Sequence, residues 1–127
     1  MSCEATTRGI RVRVRSRYSP DHSQPPERWL FVYTIEIANE GEDTVQLISR
    51  HWVITDAHGE VEEVRGPGVV GVQPVLPPGE SFEYTSFCPL TTPFGSMQGT
   101  YQMLTEEGET FEAEIATFRL STPYAVN

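Results

Sequence analysis

The chain has 127 residues, a length that fits one domain with its own core. Hydrophobic residues make up 38% and charged residues 21%, as in a folded globular chain and unlike a disordered one. Asp and Glu number 18 against 9 basic residues, and the net charge of −9 argues against a nucleic-acid backbone or an anionic membrane as partner.

The residues from Met1 to Gly9 lack the apolar core of a secretory signal. No apolar run approaches the ~20 residues that span a bilayer. The expectation is a cytoplasmic protein whose two cysteines, Cys3 and Cys88, are free thiols.

Pro and Gly punctuate a series of β-like runs, and no segment sustains helical periodicity. In Ile10–Tyr18 the apolar Ile10, Val12 and Val14 alternate with Arg11, Arg13, Arg15 and Arg17. Ser19 to Glu27, with Pro20, Pro25 and Pro26, reads as a loop. In the next run Trp29, Phe31, Tyr33, Ile35 and Ile37 share the face assigned to the core. The third run, Thr44 to Ala57, changes phase: Val45 and Leu47 share one parity, Trp52 and Ile54 the other. That change predicts a bulge near Ile48–Arg50. Asp56-Ala57-His58-Gly59 reads as a hairpin turn into a short strand, Glu60 to Arg65.

A glycine-rich loop, Gly66 to Gly71, follows. Pro77-Pro78-Gly79-Glu80 then turns the chain into Ser81–Phe87, and Cys88 to Ser96 reads as a long loop. Tyr101 and Met103 mark a strand, and Glu106-Glu107-Gly108-Glu109 is a hairpin turn. Phe111, Ala113 and Ile115 oppose Phe118 and Leu120 in parity, so a second bulge is expected near Ala116–Thr117. About seven to eight short antiparallel strands make an all-β sandwich, immunoglobulin-like and specifically fibronectin type III-like, because the Cys–Trp–Cys spacing of antibody domains is missing.

The middle of the chain carries an ordered set of short motifs. They are Arg50-His51-Trp52, Thr55-Asp56-Ala57, Gly66-Pro67-Gly68-Val69-Val70-Gly71, Gln73-Pro74, Pro78-Gly79-Glu80 and Tyr84-Thr85-Ser86. Gly95, Met97, Gly99, Tyr101 and Met103 continue the set. From about Ile10 to Leu120 the chain resembles the ApaG family, with Val72 standing where a polar or acidic residue is common and Phe87 where Gly is common. The resemblance implies a single ApaG domain over residues 1–127, with its core at about 10–120 and short flexible termini. It also implies a fibronectin-like sandwich, a binding role, and an indirect link to cobalt and magnesium tolerance in bacteria.

Four groups of residues are candidates for that role. Arg65 followed by Gly66, Gly68 and Gly71 fits a backbone N–H nest for a pyrophosphate-bearing ligand. A dinucleotide fingerprint needs a helix after the loop, and Pro74, Pro77 and Pro78 deny it one. The structural account of these glycines is positive φ in an irregular connection, and Gly68→Val is the variant that separates the two. Arg50, His51 and Trp52 form the second group, an Arg beside an aromatic of the kind that anchors protein interfaces. Trp52 is assigned to the core, while Arg50 and His51 serve either a partner or the bulge.

His51, Asp56 and His58 lack metal-ligand spacing, and Asp56 is assigned to its turn. Arg11, Arg13, Arg15 and Arg17 are expected to pair with carboxylates such as Glu112 and Glu114. Catalysis finds no support: Gly79-Glu80-Ser81-Phe82-Glu83 lacks the last glycine of a nucleophile elbow. No metal and no cofactor is implied. The reading is a non-catalytic module that binds a protein partner or a small phosphate ligand, with monomer and homodimer both compatible. Its surface marker would be an exposed apolar patch near Arg50–Trp52 or Thr91–Gly95.

Overall fold

The computed structural model describes residues 2–124. Nine strands lie among them: β1 (Ser2–Thr7), β2 (Ile10–Tyr18), β3 (Trp29–Asn39), β4 (Val45–Asp56), β5 (Val61–Pro67), β6 (Val75–Leu76), β7 (Ser81–Leu90), β8 (Phe94–Thr105) and β9 (Thr110–Ser121). One antiparallel sheet has the order β1-β2-β3-β7. The other has the order β5-β4-β8-β9, with β6 pairing the start of β4. The two face each other as a sandwich, the immunoglobulin-like and fibronectin-like architecture that the alternation predicts.

The inward parities are the predicted ones. Ile10, Val12 and Val14 of β2, and Trp29, Phe31, Tyr33, Ile35 and Ile37 of β3, are buried in one core with Leu47, Trp52, Tyr101, Phe118 and Leu120 from the other sheet. Both bulges are present. The pairing of β4 with β8 steps from Leu47↔Met103 to Ser49↔Gln102, so Ile48 is one extra residue on β4. The pairing of β8 with β9 steps from Met97↔Phe118 to Gly99↔Ile115, which puts the extra residue of β9 at Ala116–Thr117. A bulge flips the parity downstream of it, and so Leu47 and Trp52 both point inward.

Three expectations are corrected. Ser2–Thr7 is not a flexible terminus but a strand, joined to β2 by a tight turn with Arg8 and Gly9 at φ 49° and 83°. Its alternation is muted because only Cys3 and Ala5 are apolar and the strand is half exposed. Cys88 to Ser96 is not a long loop: β7 runs to Leu90, β8 starts at Phe94, and only 91–93 connect them. Pro89 is tolerated because β7 is an edge strand, where one side of the backbone has no partner to serve.

The arginines of β2 do not pair with Glu112 and Glu114. Arg11 reaches Glu36 and Glu40, Arg13 reaches Glu4 and Glu36, and Arg15 reaches Glu83. The neighbours of β2 are β1 and β3, whereas Glu112 and Glu114 sit on β9 in the opposite sheet. Both cysteines are free thiols.

Candidate functional site

On one side the sandwich is closed by β1 and β2 lying against β9. On the other, β7 and β5 are free edges. A cleft of about 360 Å³ opens there, lined by Tyr33, Tyr84 and Ser86 from one sheet, Arg50 and Trp52 from β4, and Pro67, Val69, Val70 and Gly71 from the glycine loop. Two of the sequence candidates therefore meet in one place.

The bulge at Ile48 is what brings Arg50 here. Without the extra residue Arg50 would share the outward parity; with it, Arg50 and Trp52 both face the sandwich interior. The Arg50 guanidinium donates through Nη1 to the carbonyls of Pro67 at 3.0 Å and Gly68 at 2.9 Å. Gly66 lies opposite Arg50 in the β4–β5 register, and a Cβ there would stand only 3.0 Å from the guanidinium nitrogens. Glycine at 66 thus makes room for the arginine. Among the described residues Arg50 has no carboxylate partner.

Trp52 is buried and forms the floor of an aromatic cluster. Its ring centroid lies 5.5 Å from Tyr33, 6.4 Å from Tyr101 and 6.0 Å from Phe118. The hydroxyls of Tyr84 and Tyr101 are hydrogen-bonded to each other. Burial raises the phenol pKa values of Tyr33, Tyr84 and Tyr101, and the nearby Arg50 cation offsets part of that rise in each. At neutral pH the cleft offers neutral hydroxyls and one fixed cation.

The glycine loop is organised differently from an anion nest. The N–H of Gly68 donates to Ile48 O at 2.8 Å, and Val69 and Val72 exchange their N–H···O bonds at 2.8 and 2.9 Å. Pro67 has no N–H to offer. Val70 and Gly71 are the two central residues of a tight turn, at φ 41° and 83°. Gly68, at φ 58°, is fixed by packing as well: a Cβ there would lie 2.2 Å from Val72 O. Gly68→Val would disrupt the loop itself, so it cannot report on a ligand.

His51 and Arg65 are not in this cleft. They face each other in register on the outer surface of the second sheet, where Glu63 Oε1 accepts from His51 Nε2 at 2.7 Å and Arg65 Nη2 at 3.4 Å. The two donors lower the pKa of Glu63, His51 contributing most. Asp56 is engaged in its turn, accepting from the N–H groups of His58 and Glu60 at 2.8 and 3.0 Å. No group of three or more His, Cys, Asp or Glu suited to a metal occurs among the described residues. The Thr91–Gly95 segment presents no apolar patch: Thr92 is buried, donates to Phe94 O at 2.7 Å and accepts from Ala57 N at 3.1 Å.

Comparison with known proteins gives this cleft a family context. The ApaG domain profile matches residues 19–105, which include Tyr33, Arg50, Trp52, the glycine loop, Tyr84 and Ser86. The chain belongs to the ApaG family.

Protein ApaG of Anaeromyxobacter dehalogenans strain 2CP-C is 56% identical over 123 residues, covering 97% of this chain and 98% of that protein. Protein ApaG of Methylobacterium radiotolerans is 59% identical over 122 residues, covering 95% and 94%. A crystal structure from Bordetella pertussis, described as an ApaA protein, superposes with a TM-score of 0.87 at 50% identity, covering 96% and 97% of the two chains. The C-terminal domain of wzt shares the fold at a TM-score of 0.57 and 6% identity, over 98% of this chain and 80% of that one.

The sequence reading missed Tyr33, Tyr84 and Ser86 as cleft residues. Parity assigns Tyr33 to the core face, and Tyr84 and Ser86 enter only through the Tyr84-Thr85-Ser86 motif. The available signal was a hydroxyl-bearing residue at inward parity on each of two strands. In the structure those strands are neighbours, with Tyr33 opposite Ser86 and Ile35 opposite Tyr84.

Proposed function

We propose that this ApaG-family protein is a non-catalytic binding module that docks a protein partner at the cleft between β5 and β7. The observation that carries the proposal is Arg50: a half-buried guanidinium with no carboxylate of its own among the described residues, held by two loop carbonyls beside Trp52, Tyr33 and Tyr84. Arg, Trp and Tyr are the residue types that dominate protein-interface energetics. The rim adds Val70, 57% exposed although it is apolar and holds a backbone conformation that disfavours β-branched residues. Strain kept at an exposed apolar position points to a contact made by the side chain. A carboxylate or backbone carbonyl from the partner would complete Arg50, with aromatic area burying around it.

The same chemistry supports a module rather than an enzyme. The cleft is lined by no carboxylate, histidine or thiol, and its phenols are held protonated. A pyrophosphate ligand at Arg65, Gly66, Gly68 and Gly71 is the weaker reading. The N–H groups of Gly68, Val69 and Val72 are already bonded, and Arg65 points away from the cleft to Glu63. How such binding would bear on cation tolerance belongs to the partner.

The test is site-specific photo-crosslinking in bacterial cells producing the protein, with the reactive residue at Val70 and, as a control, at Glu112 on the outer face of β9. The proposal expects one dominant protein adduct at Val70 and none of that mass at Glu112. Equal labelling from both positions, or no adduct at Val70, overturns it.

A further inference from the structure

The larger of the described clefts lies on the opposite side of the sandwich. It has a volume of about 510 Å³ and is lined by Ser16, Arg17 and Tyr18 of β2, Phe31 of β3, Arg119 and Ser121 of β9, and Pro123. Ser16, Arg17 and Tyr18 are the last three residues of β2, the strand that lies against β9 across the seam between the two sheets. Ser16 Oγ bridges the two sheets by donating to Arg119 O at 3.1 Å.

The charge at this place is anomalous for the molecule. The protein carries a net charge of −9, and all 9 of its basic residues are arginines. Arg8, Arg11, Arg13, Arg15 and Arg65 are each paired with a glutamate. Arg28 donates to His22 O, and Arg50 to Pro67 O and Gly68 O. Arg17 and Arg119 are the remaining two. Among the described residues neither guanidinium has a carboxylate partner, and both line the same cleft, whose wall contains no acidic residue. In a chain with 18 acidic side chains, two unpaired cations in a concave, acid-free site leave a charge that a ligand can complete.

We infer that this cleft binds a phosphate monoester. Two guanidinium forks match the geometry of a phosphate dianion, each able to donate two parallel hydrogen bonds. The Ser121 hydroxyl, which donates to Thr122 O at 3.1 Å in the free protein, would turn to the ligand. Half-buried Tyr18, its ring tilted at 53° against the buried Phe31 with centroids 5.5 Å apart, gives the organic part of the ligand an aromatic surface beside the cations. The volume falls in the range of small-molecule sites. The acidic surface elsewhere does not prevent this, because charges more than about 10 Å away are largely screened at 0.1 M ionic strength. The cleft shares no lining residue with the Arg50 cleft, so this inference stands or falls separately from the docking site.

The test follows backbone amide NMR signals during titration with inorganic phosphate and with phenyl phosphate, against sodium chloride at matched ionic strength. Arg17→Gln and Arg119→Gln are the site variants, and Arg28→Gln is the control. All three positions are exposed on the surface, so folding is preserved. The inference expects saturable shifts at 16–18 and 119–121 with both phosphates, tighter binding of phenyl phosphate, and no saturation with chloride. Each site variant should weaken binding about three- to tenfold, with Arg28→Gln unchanged. Shifts confined to Gly66–Gly71, shifts that chloride reproduces, or site variants that bind like the parent overturn it.

Discussion

Replacing Val70 by glycine should make the protein more stable while making it a worse binder. Val70 sits at φ 41° in the tight turn with Gly71. An L-residue in that region costs roughly 1–2 kcal/mol, and a β-branched one lies toward the upper end. Glycine removes the cost but adds about 0.4–1 kcal/mol of unfolded-chain entropy. The exposed side chain contributes little packing to set against the change. The net expectation is a stabilisation of about 0.5–1 kcal/mol, or a rise of roughly 2–4 °C in Tm for a domain of this size. Val70→Asn should match or exceed it, because asparagine tolerates the same conformation with less entropy to lose. Thermal and urea unfolding read the stability, and the crosslinked adduct with its probe moved to the exposed Val72 reads the binding. A drop in Tm in both variants would mean that Val70 is held by packing and not strained, and the reasoning that links it to a partner would fail.

Further predictions concern the core, the loop and titration. Gly68→Val should destabilise by about 2–4 kcal/mol, since it combines a positive φ with a Cβ placed 2.2 Å from Val72 O; a urea midpoint equal to the parent's would contradict the loop geometry. Trp52→Ala should cost about 3–5 kcal/mol, as the ring packs on Tyr33, Tyr101 and Phe118; a loss below 1 kcal/mol would place Trp52 at the surface.

Burial, aided by the nearby Glu62 carboxylate, pushes the Cys88 thiol up from 9.0 to about 12. The unfolded chain therefore loses that proton first, and stability should fall as pH rises from about 9 toward about 12. Tyr84 and Tyr101 act in the same direction from their ordinary value of 10.0. Cys88→Val should flatten the decline of Tm between pH 9 and 10, and an unchanged slope would remove Cys88 from the account. Glu63 titrates below its ordinary 4.5 chiefly because His51 bonds it, so its contribution is present above that pH and fades as pH falls through the lowered value. His51→Ala should return the Glu63 carboxyl shift, followed by NMR, toward the ordinary midpoint; an unmoved midpoint would deny the contact.

Parity carried most of the fold. The phase changes between Leu47 and Trp52, and between Ile115 and Phe118, located both bulges to within two residues. Alternation reads one strand at a time, however, and fails where the answer depends on strand order. The β2 arginines were correctly turned outward, yet their acids lie on β1, β3 and β7, which local pattern cannot reveal. Proline punctuation misled at Pro89, because an edge strand needs no ladder bond on its free side. The ApaG-family motifs marked Arg50, Trp52, the glycine loop and Tyr84 without showing that they share a cleft. That convergence rests on the β4–β5 register, which sets Arg50 over Gly66, and on the facing of two sheets across the core. The same motifs put His51 and Arg65 beside true cleft residues in sequence, and strand alternation sent both to the other face.

The central claim is that the uncompensated charge of Arg50 recognises a protein partner. The measurement that tests it most directly is the yield of the Val70 crosslink in an Arg50→Gln background, with thermal unfolding of the same protein alongside. Glutamine removes the cation and keeps an amide donor in the cleft, two bonds shorter than the guanidinium Nη1 that holds the Pro67 and Gly68 carbonyls. The account predicts a folded protein, with Tm within a few degrees of the parent, whose adduct falls at least about tenfold. An adduct of undiminished yield from a folded Arg50→Gln protein would contradict it.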